Sequence, residues 1–137
     1  MSETTIPKPR PLPTPASQPF WDALRDGRIV VQHCRACDQW VHYPRSRCSH
    51  CLSDQLEFRP VDGAAVVYTF TVARQATAAP FADEVPQIIT IVELDEGVRF
   101  TTNLVDVAPE DVRVGMRVAP VFDHGYDGMT LLRYRPA

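Results

Sequence analysis

Positive charge is not in excess in this chain, and glycine is scarce. Its 137 residues carry 14 lysines and arginines against 17 aspartates and glutamates, a net charge of −3. Non-specific nucleic-acid binding draws its affinity from phosphate neutralisation, so the balance argues against it while leaving room for a local basic patch. Only 6 glycines face 13 prolines, which makes the chain stiff in places rather than loose. No apolar run approaches the roughly 20 residues that cross a bilayer. Residues 1–19 hold no apolar stretch of the secretory kind, so a cytoplasmic location is expected. In a reducing compartment, closely spaced cysteines read as metal ligands rather than disulfides.

Catalytic signatures are missing as well. There is no Ser-His-Asp arrangement with motif support, no phosphate-cradling glycine loop and no helical His-Glu-x-x-His. The acidic residues Asp62, Asp95, Glu96, Asp106, Asp123 and Asp127 fall at turns or strand ends, which are ordinary solvated positions. His124 stands alone near a loop, a weak candidate for a general base. We therefore expect no catalytic residues, and a binding or accessory module rather than a self-sufficient enzyme.

What the chain does have is 45% apolar residues, enough for a core. Its length suits one compact domain or two very small ones sharing an interface. Pro7, Pro9, Pro11, Pro13, Pro15 and Pro19 deny the N-terminal stretch both helix and central strand, predicting an extended arm over residues 1–16. Such an arm is either disordered or wraps a partner. Ser17 to Arg28 reads as a short helix with Ser17 as its cap, Pro19 in the first turn and Gly27 at its end. Phe20, Trp21 and Leu24 form its apolar face, which packs either on this chain's core or on another subunit as an exposed anchor.

Strands are expected at Ile29–Gln32, Trp40–Tyr43, Leu56–Val61, Ala64–Arg74, Gln87–Leu94, Val98–Val107, Arg117–Phe122 and Met129–Tyr134. Asp62-Gly63 and Asp95-Glu96-Gly97 are hairpin signals. Val66, Tyr68, Phe70 and Val72 mark one apolar face, and the nearly unbroken run Ile88 to Val92 suits a strand covered on both sides. Ala76 to Pro86 reads as a longer loop, and Pro109 to Met116 as a short helical or irregular connection. With no room for crossover helices, the expected fold class is mainly β. An N-terminal helix and four-cysteine ribbon over 17–58 would precede a small antiparallel OB-type β-barrel over 59–137.

The sharpest signal is Cys34-x2-Cys37, ten residues, then Cys48-x2-Cys51. Two residues between cysteines let both sulfurs wrap one side of an ion, and two such knuckles close a tetrahedron. Four thiolates suit a structural zinc, and also iron in a rubredoxin-like site. His33, His42 and His50 lie beside the knuckles but are not needed as ligands. Arg35, Arg45 and Arg47 offset the thiolate charge or touch nucleic acid.

The order of these motifs carries a resemblance. Phe20-Trp21-x-x-Leu24 and the paired cysteines come first, then Gly63 before Val67-Tyr68-Thr69-Phe70-Thr71-Val72. Val92-Glu93-Leu94-Asp95-Glu96-Gly97-Val98-Arg99, Thr102-Asn103-Leu104-Val105 and Val114-Gly115-Met116-x-Val118 follow. Over about residues 17–135 the chain resembles the acyl-CoA-associated OB-fold proteins with an N-terminal rubredoxin-like zinc ribbon. The resemblance implies a non-catalytic subunit in a hetero-oligomer with a thiolase-like enzyme, a thiolase or retro-aldol/Claisen lyase acting on acyl-CoA thioesters in lipid or steroid metabolism. The helix and arm would dock on that partner. It also implies Cys34, Cys37, Cys48 and Cys51 as zinc ligands, and a CoA thioester as a possible ligand near Arg74, Phe81 and Asn103. Arg74 would meet a CoA phosphate, Phe81 would border an acyl or pantetheine channel, and Asn103 would bond a ligand amide. The rival readings are a nucleic-acid-binding OB protein and a stand-alone acyl-CoA-binding protein or hydrolase.

Overall fold

The computed structural model describes residues 8–76, 78–126 and 128–137; the start of the proline arm, Pro7 included, and Asp127 lie outside the described residues. From Lys8 onward the arm lies on the chain's own barrel. Lys8 Nζ is 3.2 Å from Glu84 Oε2, and Pro9 and Pro11 wall a small cavity with Phe81 and Leu131.

Helix α1 spans Gln18–Arg25, shorter than expected at both ends. Ser17 sits at its start, but its hydroxyl makes no capping bond to the helix. It faces back instead, accepting from the Thr14 backbone N–H at 2.8 Å, because the turn before the helix supplies that donor. Gly27 ends the helix in the left-handed region, at φ +75, as the sequence suggests. Phe20, Ala23 and Leu24 are buried. Phe20 is thus part of this chain's core, with 5% of its surface exposed, and is not free to anchor a partner.

Three strands form the ribbon sheet: β1 (Ile29–Cys34), β2 (Trp40–Val41) and β3 (Leu56–Val61), in the order β2-β1-β3 with antiparallel pairing. β3 pairs with β1 along its whole length, so it belongs to the ribbon sheet and not to the barrel. The expected boundary between residues 58 and 59 falls in the middle of this strand. Asp62-Gly63 is correspondingly a crossover between sheets and not a hairpin. Gly63 has φ +85, and a Cβ there would stand 2.6 Å from Ile29 Cδ1. Its carbonyl accepts the Tyr134 hydroxyl at 2.8 Å.

The barrel follows with β4 (Ala65–Ala73), β5 (Gln87–Leu94), β6 (Arg99–Leu104), β7 (Arg117–Tyr126) and β8 (Met129–Pro136). They pair in the order β4-β5-β6-β8-β7, and β4 also pairs with β7, so the strands form a ring. All pairings are antiparallel except β6 with β8, which meet in parallel at Leu104 and Tyr134. A 3-10 turn, Ala79–Glu84, occupies the loop after β4, and another, Pro109–Asp111, begins the connection to β7.

Two face assignments differ from the sequence pattern. A bulge between Val67 and Thr69 interrupts the alternation of β4: Ala65 and Val67 are buried before it, Tyr68 is 46% exposed, and Phe70 packs against the core after it. β5 alternates: Ile88, Thr90 and Val92 point into the core, whereas Ile89 is 37% exposed. The barrel's outer face is open there, so a continuous apolar run does not mean cover on both sides. The main core is continuous from α1 and β1 into the barrel, joining Phe20, Leu24, Ile29 and Val31 to Val67, Val92, Phe100 and Tyr134. Among the described residues no helix is long and apolar enough to cross a membrane.

Candidate metal centre and cavities

The two cysteine knuckles are copies of one another. The Cys34 and Cys48 carbonyls accept the N–H groups of Asp38 and Leu52, each at 2.9 Å, and the Cys34 and Cys48 N–H groups bond the Gln39 and Ser53 carbonyls. Asp38 and Leu52 both turn left-handed, with φ 60 and 64. This turn leaves Leu52 71% exposed, a cost no sequence periodicity predicts. It also aims backbone N–H groups at sulfur: the His50 N–H reaches Cys48 Sγ at 3.3 Å.

The four Sγ atoms lie within 4.8 Å of one another, with Cys34–Cys51 and Cys37–Cys48 each at 3.6 Å. Sulfurs bound tetrahedrally at about 2.3 Å from zinc stand about 3.8 Å apart, so the cluster has the right size. Its electrostatics fit too. Burial raises the Cys48 thiol, but the N–H groups of Cys51 and His50 and the adjoining thiols outweigh this and hold it at about 6. The Gln39 N–H lowers Cys37, yet burial and the thiols of Cys48, Cys51 and Cys34 push it up to about 12. Four negative charges cannot share this volume without a cation, and a divalent ion meets that need. The set has four protein donors, which makes it a closed, structural site.

Of the flanking histidines, His33 is buried against Trp40 and His50 is exposed. His42 packs over Phe100 with ring centroids 4.0 Å apart, and also touches Phe20 and Tyr43. Burial, aided by the charge of Arg45, lowers its pKa to about 4. Its Nδ1 is buried and has no partner among the described residues. His124 is exposed and pairs through Nδ1 with Thr130 Oγ1 at 2.8 Å.

Of the three residues expected near a CoA ester, two share a cavity and Arg74 stands apart. Arg74 is exposed at the end of β4. Phe81 is half-buried on the 3-10 turn and lines the small cavity under the arm, which Asn103 also reaches. Asn103 alone of the three also borders a larger cavity of about 430 Å³ between α1, the His42–Tyr43 turn, β6 and β8. Its apolar wall is Phe20, Trp21, Leu24, Phe100, Leu131 and Leu132. Two arginines stand on its rim, each already engaged. Arg99 bonds Glu93 at 3.0 Å and lies 3.8 Å over the Tyr68 ring. Arg133 bonds Asp123 at 2.7 Å and Asn103 Oδ1 at 3.3 Å. Burial raises Asp123, but Arg133 and the Gly125 N–H hold it below the usual carboxylate range. The sequence pattern singled out Asn103 but not this cavity, because its walls come from four separated segments.

Two family models match adjoining stretches of the chain. Residues 21–57 match the ChsH2 rubredoxin-like zinc ribbon domain, and residues 58–123 match the ChsH2 C-terminal OB-fold domain. A DUF35 domain-containing scaffold protein of Methanocaldococcus jannaschii is 36% identical, over 78% of this chain and 79% of its own. The chain belongs to the ChsH2 (DUF35) family. Within the family's reach, a probable enoyl-CoA hydratase alpha subunit of Thermomonospora curvata is 36% identical over 99% of this chain. The chain spans 44% of that relative's length. A solved structure described as an Ltp2-ChsH2(DUF35) aldolase superposes with a TM-score of 0.82 at 33% identity, covering 93% of this chain and 98% of the other. The expected fold, a mainly β chain with a four-cysteine zinc ribbon ahead of an OB barrel, is the family's.

Proposed function

We propose that this chain is a non-catalytic scaffold subunit of a cytoplasmic hetero-oligomer whose larger member is a thiolase-like enzyme acting on acyl-CoA thioesters. The observation that carries the reading is the likeness over nearly the full length of both chains to the ChsH2(DUF35) aldolase structure. The scaffold name of the Methanocaldococcus relative and the CoA-ester name of the Thermomonospora relative support it. We assign residues 1–16 to an arm, 17–61 to helix and ribbon, with β3 moved whole into the ribbon, and 62–137 to the crossover and barrel.

Cys34, Cys37, Cys48 and Cys51 hold one zinc ion in this reading. The ion supplies a clamp for a ribbon whose own apolar cluster is little more than Cys34, Val41 and Cys48. The four thiols are then ligands and not nucleophiles. Toward a CoA thioester, Asn103 is placed on the wall of the larger cavity, Phe81 beneath the arm, and Arg74 out in solvent where a phosphate can reach it. Because α1 packs its apolar face inward, a partner meets other surfaces than Phe20.

The test is co-expression with a thiolase-like protein of the same organism. Co-elution on gel filtration, with thioester turnover only by the complex, is the expected result. Independent elution of the two proteins, or turnover by this chain alone, overturns the proposal.

A further inference from the structure

The two knuckles share a backbone design but not a setting. Cys34 and Cys48 are fully buried, and Cys37 packs against the same small cluster with Val41 and Leu56. Cys51 holds the matching place in the second knuckle but lies outside that cluster, and of the four cysteines it alone is exposed. Its surroundings are open too, since residues 49–52 are all exposed. We infer that Cys51 is an oxidation site for peroxides, and that Cys34 closes a disulfide onto it which releases the zinc ion. The inference rests on the zinc ligation proposed above.

Geometry selects the pair. Cys51 has Cys34, from the other knuckle, at 3.6 Å between sulfurs. Bringing them to a bond of about 2.05 Å moves them by about 1.5 Å, within reach of side-chain rotation. Cys37 and Cys48 also stand 3.6 Å apart, but both are packed in the cluster, and Cys48 Sγ accepts the His50 N–H. A thiolate that water can reach is the one an oxidant meets first.

The chemistry balances with hydrogen peroxide as the only added reactant. The Cys51 thiolate attacks one peroxide oxygen, the O–O bond breaks, hydroxide leaves, and Cys51 becomes a sulfenic acid. The Cys34 thiolate attacks that sulfur and displaces a second hydroxide, forming the disulfide. Zinc takes no electrons, so both come from sulfur. With two of four donors gone, the site no longer holds the ion.

The experiment treats the full-length, zinc-loaded chain with excess hydrogen peroxide and follows released zinc with a chromogenic chelator. Remaining thiols are alkylated and the chain is cut with trypsin. Because Arg59 precedes Pro60, this places Cys34 on residues 29–35, Cys37 on 36–45, and Cys48 with Cys51 on 48–74. Loss of the ion should accompany a disulfide joining 29–35 to 48–74, located at Cys51 by fragment sequencing, and dithiothreitol with added zinc should reverse both. Cys51→His keeps a fourth donor, and should release zinc at least about tenfold more slowly. The wild-type disulfide map carries the test if that variant fails to hold zinc. A first disulfide within one knuckle or at Cys48, or unchanged release from Cys51→His, overturns the inference. A chain that keeps its zinc under peroxide overturns it and leaves the zinc reading standing. A chain that carries no zinc before peroxide is added overturns both.

Discussion

His42 shows how one residue ties acid stability to packing. Its ring lies between Phe100 and Phe20, where a charged imidazolium would be stripped of water. The folded value of about 4 lies below the ordinary 6.5, so the native state binds fewer protons than the unfolded chain between those pH values. Stability from this site is therefore complete above pH 6.5 and falls as the pH drops toward 4, by about 3 kcal/mol at most. Loss of a bound zinc ion in acid acts in the same direction, so the comparison must be with a variant that keeps the four cysteines. His42→Phe should flatten the slope of unfolding free energy between pH 7 and 5 relative to wild type. Parallel slopes for the two proteins in denaturant titrations would count against it. None of this is visible in the sequence, where His42 reads as a group beside a metal knuckle. Its real neighbours, Phe20 and Phe100, are distant in the chain. The cysteines are legible for the opposite reason: ligand spacing is a local constraint, satisfied within two residues.

At the scale of elements, the ribbon divides into a part that belongs to the barrel's core and a part that does not. Ile29 and Val31 of β1 sit in the main core with Leu24, whereas Cys34, Val41 and Cys48 form a separate small cluster. The second cluster is too small to hold two knuckles with left-handed residues at Asp38 and Leu52. Zinc binding, worth on the order of 10 kcal/mol, would supply the missing stability. Removing the ion with a chelator should expose residues 34–56 to hydrogen exchange while Ile29–Val31 stays protected. Full protection throughout the ribbon after removal would show that the ion is not structural. Strand positions were mostly legible from alternation and turn residues, but not their partners. Leu56–Val61 has the same pattern as a barrel strand, and only its pairing with β1 places it in the ribbon. The bulge at Val67–Thr69 was likewise hidden, because one extra residue reverses the faces without changing composition.

Over the whole molecule, the question is whether ribbon and barrel are one cooperative unit. Helix α1 decides it. Leu24 is fully buried, and α1 contacts β1 of the ribbon as well as β7 and β8 of the barrel. Gly63 adds a second link: no side chain fits between Ile29 and Pro120, and the Tyr134 hydroxyl bonds its carbonyl across the two sheets. Truncating Leu24 removes packing atoms shared by both parts, with a cost of about 2–5 kcal/mol for a core leucine. If the core is continuous, Leu24→Ala lowers the stability of the whole chain by that amount in a single transition. In a Trp21→Phe background, Trp40 fluorescence, which then reports the ribbon, and far-ultraviolet circular dichroism, dominated by the barrel, should give the same midpoint. Two midpoints would mean that the ribbon is an independent attachment, and that α1 serves only one side of the junction.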